Sequence, residues 1–193
     1  MKNHRLRLLT LLSMMIALSF LLQYFEFPIP ALFPAYLKID PSDIPALFVG
    51  LFIGPVPAVI VELLKNVLHA IFISKDPNFS GEIANFFAGV AFILPVAWTA
   101  TFLRKNLEHY TFKQTLVRLL PAFVLAVISM TVMMALVNYF FSFPLYGMTE
   151  HSVKVNGVIA VTPFNLFKGV LLSIVALAIY PNIKPLFIRF LSR

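Results

Sequence analysis

The hydrophobic runs of this chain continue unbroken for too long to be the core elements of a water-soluble domain, and their length constrains the fold more than any other feature. The 193 residues are 60% hydrophobic and 12% charged, with a mean hydropathy of +0.91. A soluble core of this size has no use for so much apolar sequence. An outer-membrane barrel needs apolar and polar residues alternating in segments of about ten, and that alternation is absent. The expectation is an all-α integral membrane protein. With no cysteine, disulfides, thiolate metal sites and cysteine nucleophiles are excluded.

Six helical segments account for the pattern, near residues 6–25, 42–54, 58–73, 82–104, 115–143 and 163–193, within one membrane-embedded domain over 1–193. The basic start, Met1 to Arg7, could pass for a signal peptide. No small-x-small cleavage site follows, so it reads as a retained first helix. Pro28, Pro30, Pro34 and Pro41 stop helices in the loop after it. The second segment is too short to cross a core of roughly 30 Å, and Gly54-Pro55-Val56-Pro57 separates it from the third.

The net charge of +7 is distributed as a topology signal, in short clusters beside hydrophobic runs, which argues against nucleic acid. With both termini inside, ten bases are cytoplasmic: Lys2, Arg5, Arg7, Arg104, Lys105, Lys113, Arg118, Lys184, Arg189 and Arg193. Four lie outside (Lys38, Lys75, Lys154, Lys168), and Lys65 lies within a helix. The asymmetry favours an even number of spans in the cytoplasmic membrane. Six acids on the outer face (Glu26, Asp40, Asp43, Asp76, Glu82, Glu150) make it slightly negative, which favours a neutral or weakly charged ligand.

Several polar groups stand where a membrane helix can hold them only if the protein satisfies them. Asn165 and Lys168, in Thr162-Pro163-Phe164-Asn165-Leu166-Phe167-Lys168-Gly169, share one face at the mouth of the last segment. Asn85 and Asn138 stand at the outer ends of two other helices, and Phe86, Tyr139 and Phe164 lie beside the three amides. An amide offers both donor and acceptor to the edge of a heterocycle, and aromatic rings cover its face. Together they describe a pocket for a flat, uncharged, hydrogen-bonding ligand. Glu62, Lys65, Asn66 and His69 share a stripe of the third segment. That stripe reads either as an ion-paired seam or as a proton or ion relay. Ser13 and Ala17 form a small-xxx-small pair, suited either to internal packing or to association with another helix. Zincin, nucleophile-elbow and phosphate-loop signatures are all missing, so no catalytic residue, metal or cofactor is expected, and any ATP-driven step must come from a partner chain.

Five pieces in order resemble the riboflavin-binding S component of energy-coupling-factor (ECF) transporters: Leu37-Lys38-Ile39-Asp40-Pro41-Ser42-Asp43-Ile44-Pro45, Glu62-Leu63-Leu64-Lys65-Asn66, Gly81-Glu82-Ile83-Ala84-Asn85-Phe86, Asn138-Tyr139-Phe140, and Pro163-Phe164-Asn165-Leu166-Phe167-Lys168-Gly169. The resemblance covers about residues 6 to 190. It implies a six-helix subunit that binds riboflavin from outside, energised by a transmembrane coupling protein and two ATP-binding-cassette ATPases. It further implies a lid from Leu37, Lys38, Ile39 and Asp40, a pocket lined by Asn85, Asn138, Asn165 and Lys168, and a coupling face at Ser13 and Ala17, where the family usually has two alanines. Three alternatives remain open at this stage. They are an S component for another neutral heterocyclic vitamin, a membrane-embedded lipid-modifying enzyme using Glu62 and His69, and a self-sufficient secondary transporter, whose inverted repeats are not visible.

Overall fold

The computed structural model describes residues 2–76, 78–107 and 109–192, with the side chains of 2–4, 104–107 and 191–192 left aside. Of the bases in the charge count, Lys2, Arg104 and Lys105 therefore contribute no side-chain geometry, and Arg193 lies outside the described residues. The elements are α1 (Lys2–Tyr24), β1 (Phe27–Pro28), β2 (Lys38–Ile39), α2 (Asp43–Phe52), α3 (Pro55–Phe72), α4 (Ser80–Leu107), α5 (Phe112–Val137), α6 (Phe143–Leu145) and α7 (His151–Ser192). A π-helical turn, Asn138–Ser142, joins α5 to the single turn of α6, so the two run on as one rod. Among the described residues, five helices are long and apolar enough to cross a membrane.

The short helix α2 is the most central. All residues of α2 from Asp43 to Leu51 are buried, and α1, α3, α4 and α7 pack around it. Ten residues rise only about 15 Å, so α2 ends inside the bundle and its termini need internal partners. Gly54 terminates it at φ 140°, a conformation a side chain would strain, and Pro55 opens α3 where its missing N–H costs nothing. Gly50 permits the closest approach of α2 to α4, since a Cβ there would lie 2.9 Å from that of Ala97. Around this contact Leu47, Val49, Val61, Phe92, Ile93, Val96, Ala126 and Met130 form the core. The opposite faces are apolar and exposed, as at Leu21, Ile71, Phe102 and Val124, which is the arrangement of a bundle whose solvent is lipid.

Prolines sit inside three of the long helices, at Pro95 in α4, Pro121 in α5, and Pro163, Pro181 and Pro185 in α7. Thr99 Oγ1 donates to the carbonyl of Pro95 in α4 at 2.9 Å. A capping box starts α5: Gln114 N–H donates to Thr111 Oγ1, and Thr111 N–H donates to Gln114 Oε1. The last helix is longer than the prolines suggest. The sequence reading opens it at Pro163, but α7 begins at His151 and carries Pro163, Pro181 and Pro185 inside. At roughly 1.5 Å per residue its 42 residues far exceed a bilayer core of roughly 30 Å, so the helix extends beyond it, and its N-terminal end follows α6 in the chain. On that side the α3–α4 loop is clasped to the end of α6. Asp76 Oδ2 accepts from Tyr146 OH at 2.8 Å and from Ser80 N–H at 3.1 Å. The backbone N–H of Asn78, more than these, holds the Asp76 carboxyl down at about 2.

Candidate ligand site

The termini of α2 meet the polar stripe of α3 inside the bundle. Lys65 Nζ lies 2.8 Å from Glu62 Oε1 and 2.7 Å from Ser42 Oγ, and also pairs with Asp43. Glu62, Lys65 and Asp43 have no exposed side-chain surface at all. An ammonium has three protons, and here each has an acceptor. Asn66 Nδ2 donates to Glu62 Oε1 at 3.1 Å, while Asn66 Oδ1 accepts from Gln23 of α1 and Asn85 of α4, both at 3.3 Å. The fourth residue of the stripe, His69, turns to α4 instead, with Nδ1 2.9 Å from Glu82 Oε1.

Lys168 joins this network from α7. Its Nζ donates to Asn85 Oδ1 at 3.1 Å and to Asp40 Oδ2 at 3.2 Å, with Asp43 Oδ2 at 3.7 Å. Asp40 is buried, and burial alone would raise its pKa. The charges of Lys168 and Lys65 and hydrogen bonds from Ser42 prevail and lower it to about 2. The site thus holds three carboxyl groups (Asp40, Asp43, Glu62) around two amines (Lys65, Lys168), and each amine already has an acidic partner.

The proposed lid, Leu37, Lys38, Ile39 and Asp40, is the return half of a small antiparallel ribbon in which Phe27 pairs with Ile39 and Pro28 with Lys38. Exposed Lys38 pairs with Glu26 across it, Leu37 is half-buried, and Ile39 and Asp40 are buried. Phe33, from the loop the ribbon closes, meets Phe164 edge-on at 5.3 Å and Phe167 at 5.5 Å. The loop is therefore tied to α7 twice, by an ion pair and by an aromatic contact.

The remaining expected residues sit differently. Asn165 is buried beside Phe164, and its amide nitrogen donates to the Val161 carbonyl of its own helix at 3.0 Å. Asn138 opens the π turn and donates back to Met134 at 2.8 Å. Tyr139 hydrogen-bonds His151 at 2.7 Å, and its ring lies 4.4 Å from Lys154 Nζ. No hydrogen bond among the described residues links Asn138, Tyr139 or Asn165 to the Lys168 network. Ser13 and Ala17 are both exposed on α1. Glu62 and His69 have separate partners, so the acid–base pair that an enzyme would need is not formed. Two members of the network had no role in the sequence reading, Gln23 and Ser42. Gln23 carried a signal, as a polar side chain in the last turn of an apolar helix.

Residues 7–180 match the family described as ECF transporter, substrate-specific component. The chain belongs to that family. This S component is 39% identical to the riboflavin transporter RibU of Staphylococcus aureus (strain TCH60), over 97% of its own length and 93% of the relative's. It is 35% identical to the riboflavin transporter FmnP of Bacillus subtilis (strain 168), over 94% of each chain. A solved structure described as the S component of a bacterial ECF transporter superposes with a TM-score of 0.74 at 37% identity, covering 98% of this chain and 99% of the other. An S component is a multi-pass membrane subunit of a transporter and not an enzyme, in agreement with the apolar helices.

Proposed function

We propose that this S component captures riboflavin from the outer side of the membrane, in a pocket at the outer ends of α4, α5 and α7. The observation that carries the reading is the pairing of Lys168. Its ammonium is shared between Asp40, Asn85 and Asp43, so it stands as a hydrogen-bond donor within a neutralised network and not as a free anion clamp. Recruiting it to an anionic ligand would strand buried carboxylates, which costs several kcal/mol. A flat, neutral ligand with hydrogen-bonding edges meets no such penalty. The relatives named as riboflavin transporters support the choice of vitamin.

In this reading Asn85, Asn165 and Lys168 address the polar edges of the ring system, Asn138 and Tyr139 approach from α5, and Phe164 covers a face. The 37–40 segment closes over the ligand because Asp40 ties it to Lys168. The Glu62–Lys65–Asn66 stripe is the rigid floor, with His69 and Glu82 beside it, and acts as an ion-paired seam. Its energy source is an ECF module of a transmembrane coupling protein and two ATP-binding-cassette ATPases, docking through the exposed Ser13/Ala17 face of α1. The test is direct. The protein purified in detergent from a riboflavin-containing host is expected to be yellow with flavin absorption. A colourless preparation that also fails to bind added riboflavin would refute the assignment.

A further inference from the structure

Some 30 Å along α7 from Lys168, at 1.5 Å per residue, the other end of the bundle holds a cavity of about 400 Å³ lined by Arg7 of α1 and Leu186, Arg189 and Phe190 of α7. Residues 186, 189 and 190 share one helical face. That face is backed rigidly. Phe187 is buried on the other side and stacks on Phe52 with ring centroids 4.8 Å apart, and Lys184 Nζ donates to the Tyr110 carbonyl at 2.9 Å. Two guanidinium groups and two apolar side chains therefore converge at the end of the molecule that the charge distribution assigns to the cytoplasm. Among the described residues, no carboxylate lines the cavity. A guanidinium presents five N–H donors in a fork, so one that already has a partner keeps donors for an anion's oxygens.

The flank below Arg7 is apolar and open. Met14, Leu18 and Leu21 follow at offsets of seven, eleven and fourteen, which at 3.6 residues per turn keeps them within about 40° of Arg7 around α1. All three are exposed, by 57%, 43% and 57%. A charged cup at headgroup level thus continues into an apolar track running toward the bilayer centre. Ser13 and Ala17 lie about 80–120° from Arg7 round the helix, so a partner centred on them borders the track at Leu21 and leaves Arg7 itself uncovered.

We propose that this cup binds the phosphodiester headgroup of an anionic phospholipid from the cytoplasmic leaflet. Arg7 and Arg189 grip the phosphate, Leu186 and Phe190 pack against the glycerol region, and an acyl chain lies along Met14, Leu18 and Leu21. The apolar track distinguishes a lipid from a free phosphate. The paired positive charges disfavour zwitterionic lipids, whose ammonium would be brought against guanidinium.

The test uses the purified full chain in a non-ionic detergent, incubated with equimolar phosphatidylglycerol and phosphatidylcholine, washed, and read by native mass spectrometry. The unaltered chain is expected to retain phosphatidylglycerol over phosphatidylcholine by at least roughly fivefold, the effect of one basic residue at an anionic surface. Arg7→Gln and Arg189→Gln, made singly so that each fold can be verified by thermal melting, are each expected to reduce that ratio, and the double variant to bring it to parity. Millimolar glycerol phosphate is expected not to displace the lipid. Parity in the unaltered chain, an undiminished preference in the double variant, or displacement by glycerol phosphate would each overturn the proposal.

Discussion

Lys65→Met tests the buried network at its central cation, because methionine keeps most of the side chain's length and removes the ammonium with its charge and donors. All three ammonium protons are engaged, by Ser42 at 2.7 Å, Glu62 at 2.8 Å and Asp43. The substitution leaves Glu62 without its cation and Asp43 with only the more distant Lys168, at 3.7 Å, and neither carboxyl group has exposed surface. Breaking a buried pair from one side costs about 3–5 kcal/mol. At roughly 2–4 °C per kcal/mol for a chain of this length, thermal melting in detergent should fall by on the order of 6–20 °C. The triple variant Lys65→Met, Glu62→Gln, Asp43→Asn removes charge from both sides and is expected to recover about half of that loss, since neutral amides need no buried counter-ion. A single variant melting within about 2 °C of the parent, or a triple variant less stable than the single one, would refute the argument that charge compensation holds α2 to α3.

Three further outcomes follow from named contacts. Asp40 has its pKa lowered from 3.8 to about 2, so its contribution is full above 3.8 and lost as pH falls toward 2. The gap in melting temperature between the parent and Asp40→Asn, corresponding to about 2 kcal/mol, should be constant above pH 5 and close between about pH 4 and 2; a gap that does not vary with pH contradicts it. Gly89→Ala would place a Cβ 2.2 Å from Glu62 Oε1 and 2.4 Å from its Cδ. Because Glu62 cannot yield without leaving Lys65, a loss of at least the ~1–3 kcal/mol of ordinary overpacking is expected in a denaturation series, and an unchanged midpoint would mean that the helices part freely. Asn165→Ala should weaken riboflavin binding by roughly 5- to 150-fold, the 1–3 kcal/mol of an unmatched polar group; equilibrium titration with flavin fluorescence checks it, and unchanged affinity removes Asn165 from the pocket.

The helical membrane architecture was legible because it depends on properties that each segment carries alone. Apolar length selects a spanning helix, and proline or glycine ends one, as at Gly54-Pro55, where a φ of 140° closes α2. Pro163 misled for a related reason. Proline disfavours a helix by local effects, the bond it removes and the clash of its ring with the carbonyl four residues before, and α7, which packs against α5, continues through it.

For the buried polar groups, sequence alone determined which residues could not be left in lipid unpaired: Glu62, Lys65, Asn66 and His69 on one stripe, and Asn165 and Lys168 on one face. The stripe and Lys168 read as separate features because spacing reports only neighbours on the same helix. Tertiary structure decided that they are one network. The short central helix brings Asp40, Ser42 and Asp43 between α3 and α7, so Lys65 and Lys168 share Asp43 although 103 residues (168 less 65) separate them. It also sent His69 to Glu82 and not to Glu62. Partner choice for a buried charge is set by which opposite charge the packed helices bring within about 4 Å, and no one-dimensional pattern contains that distance.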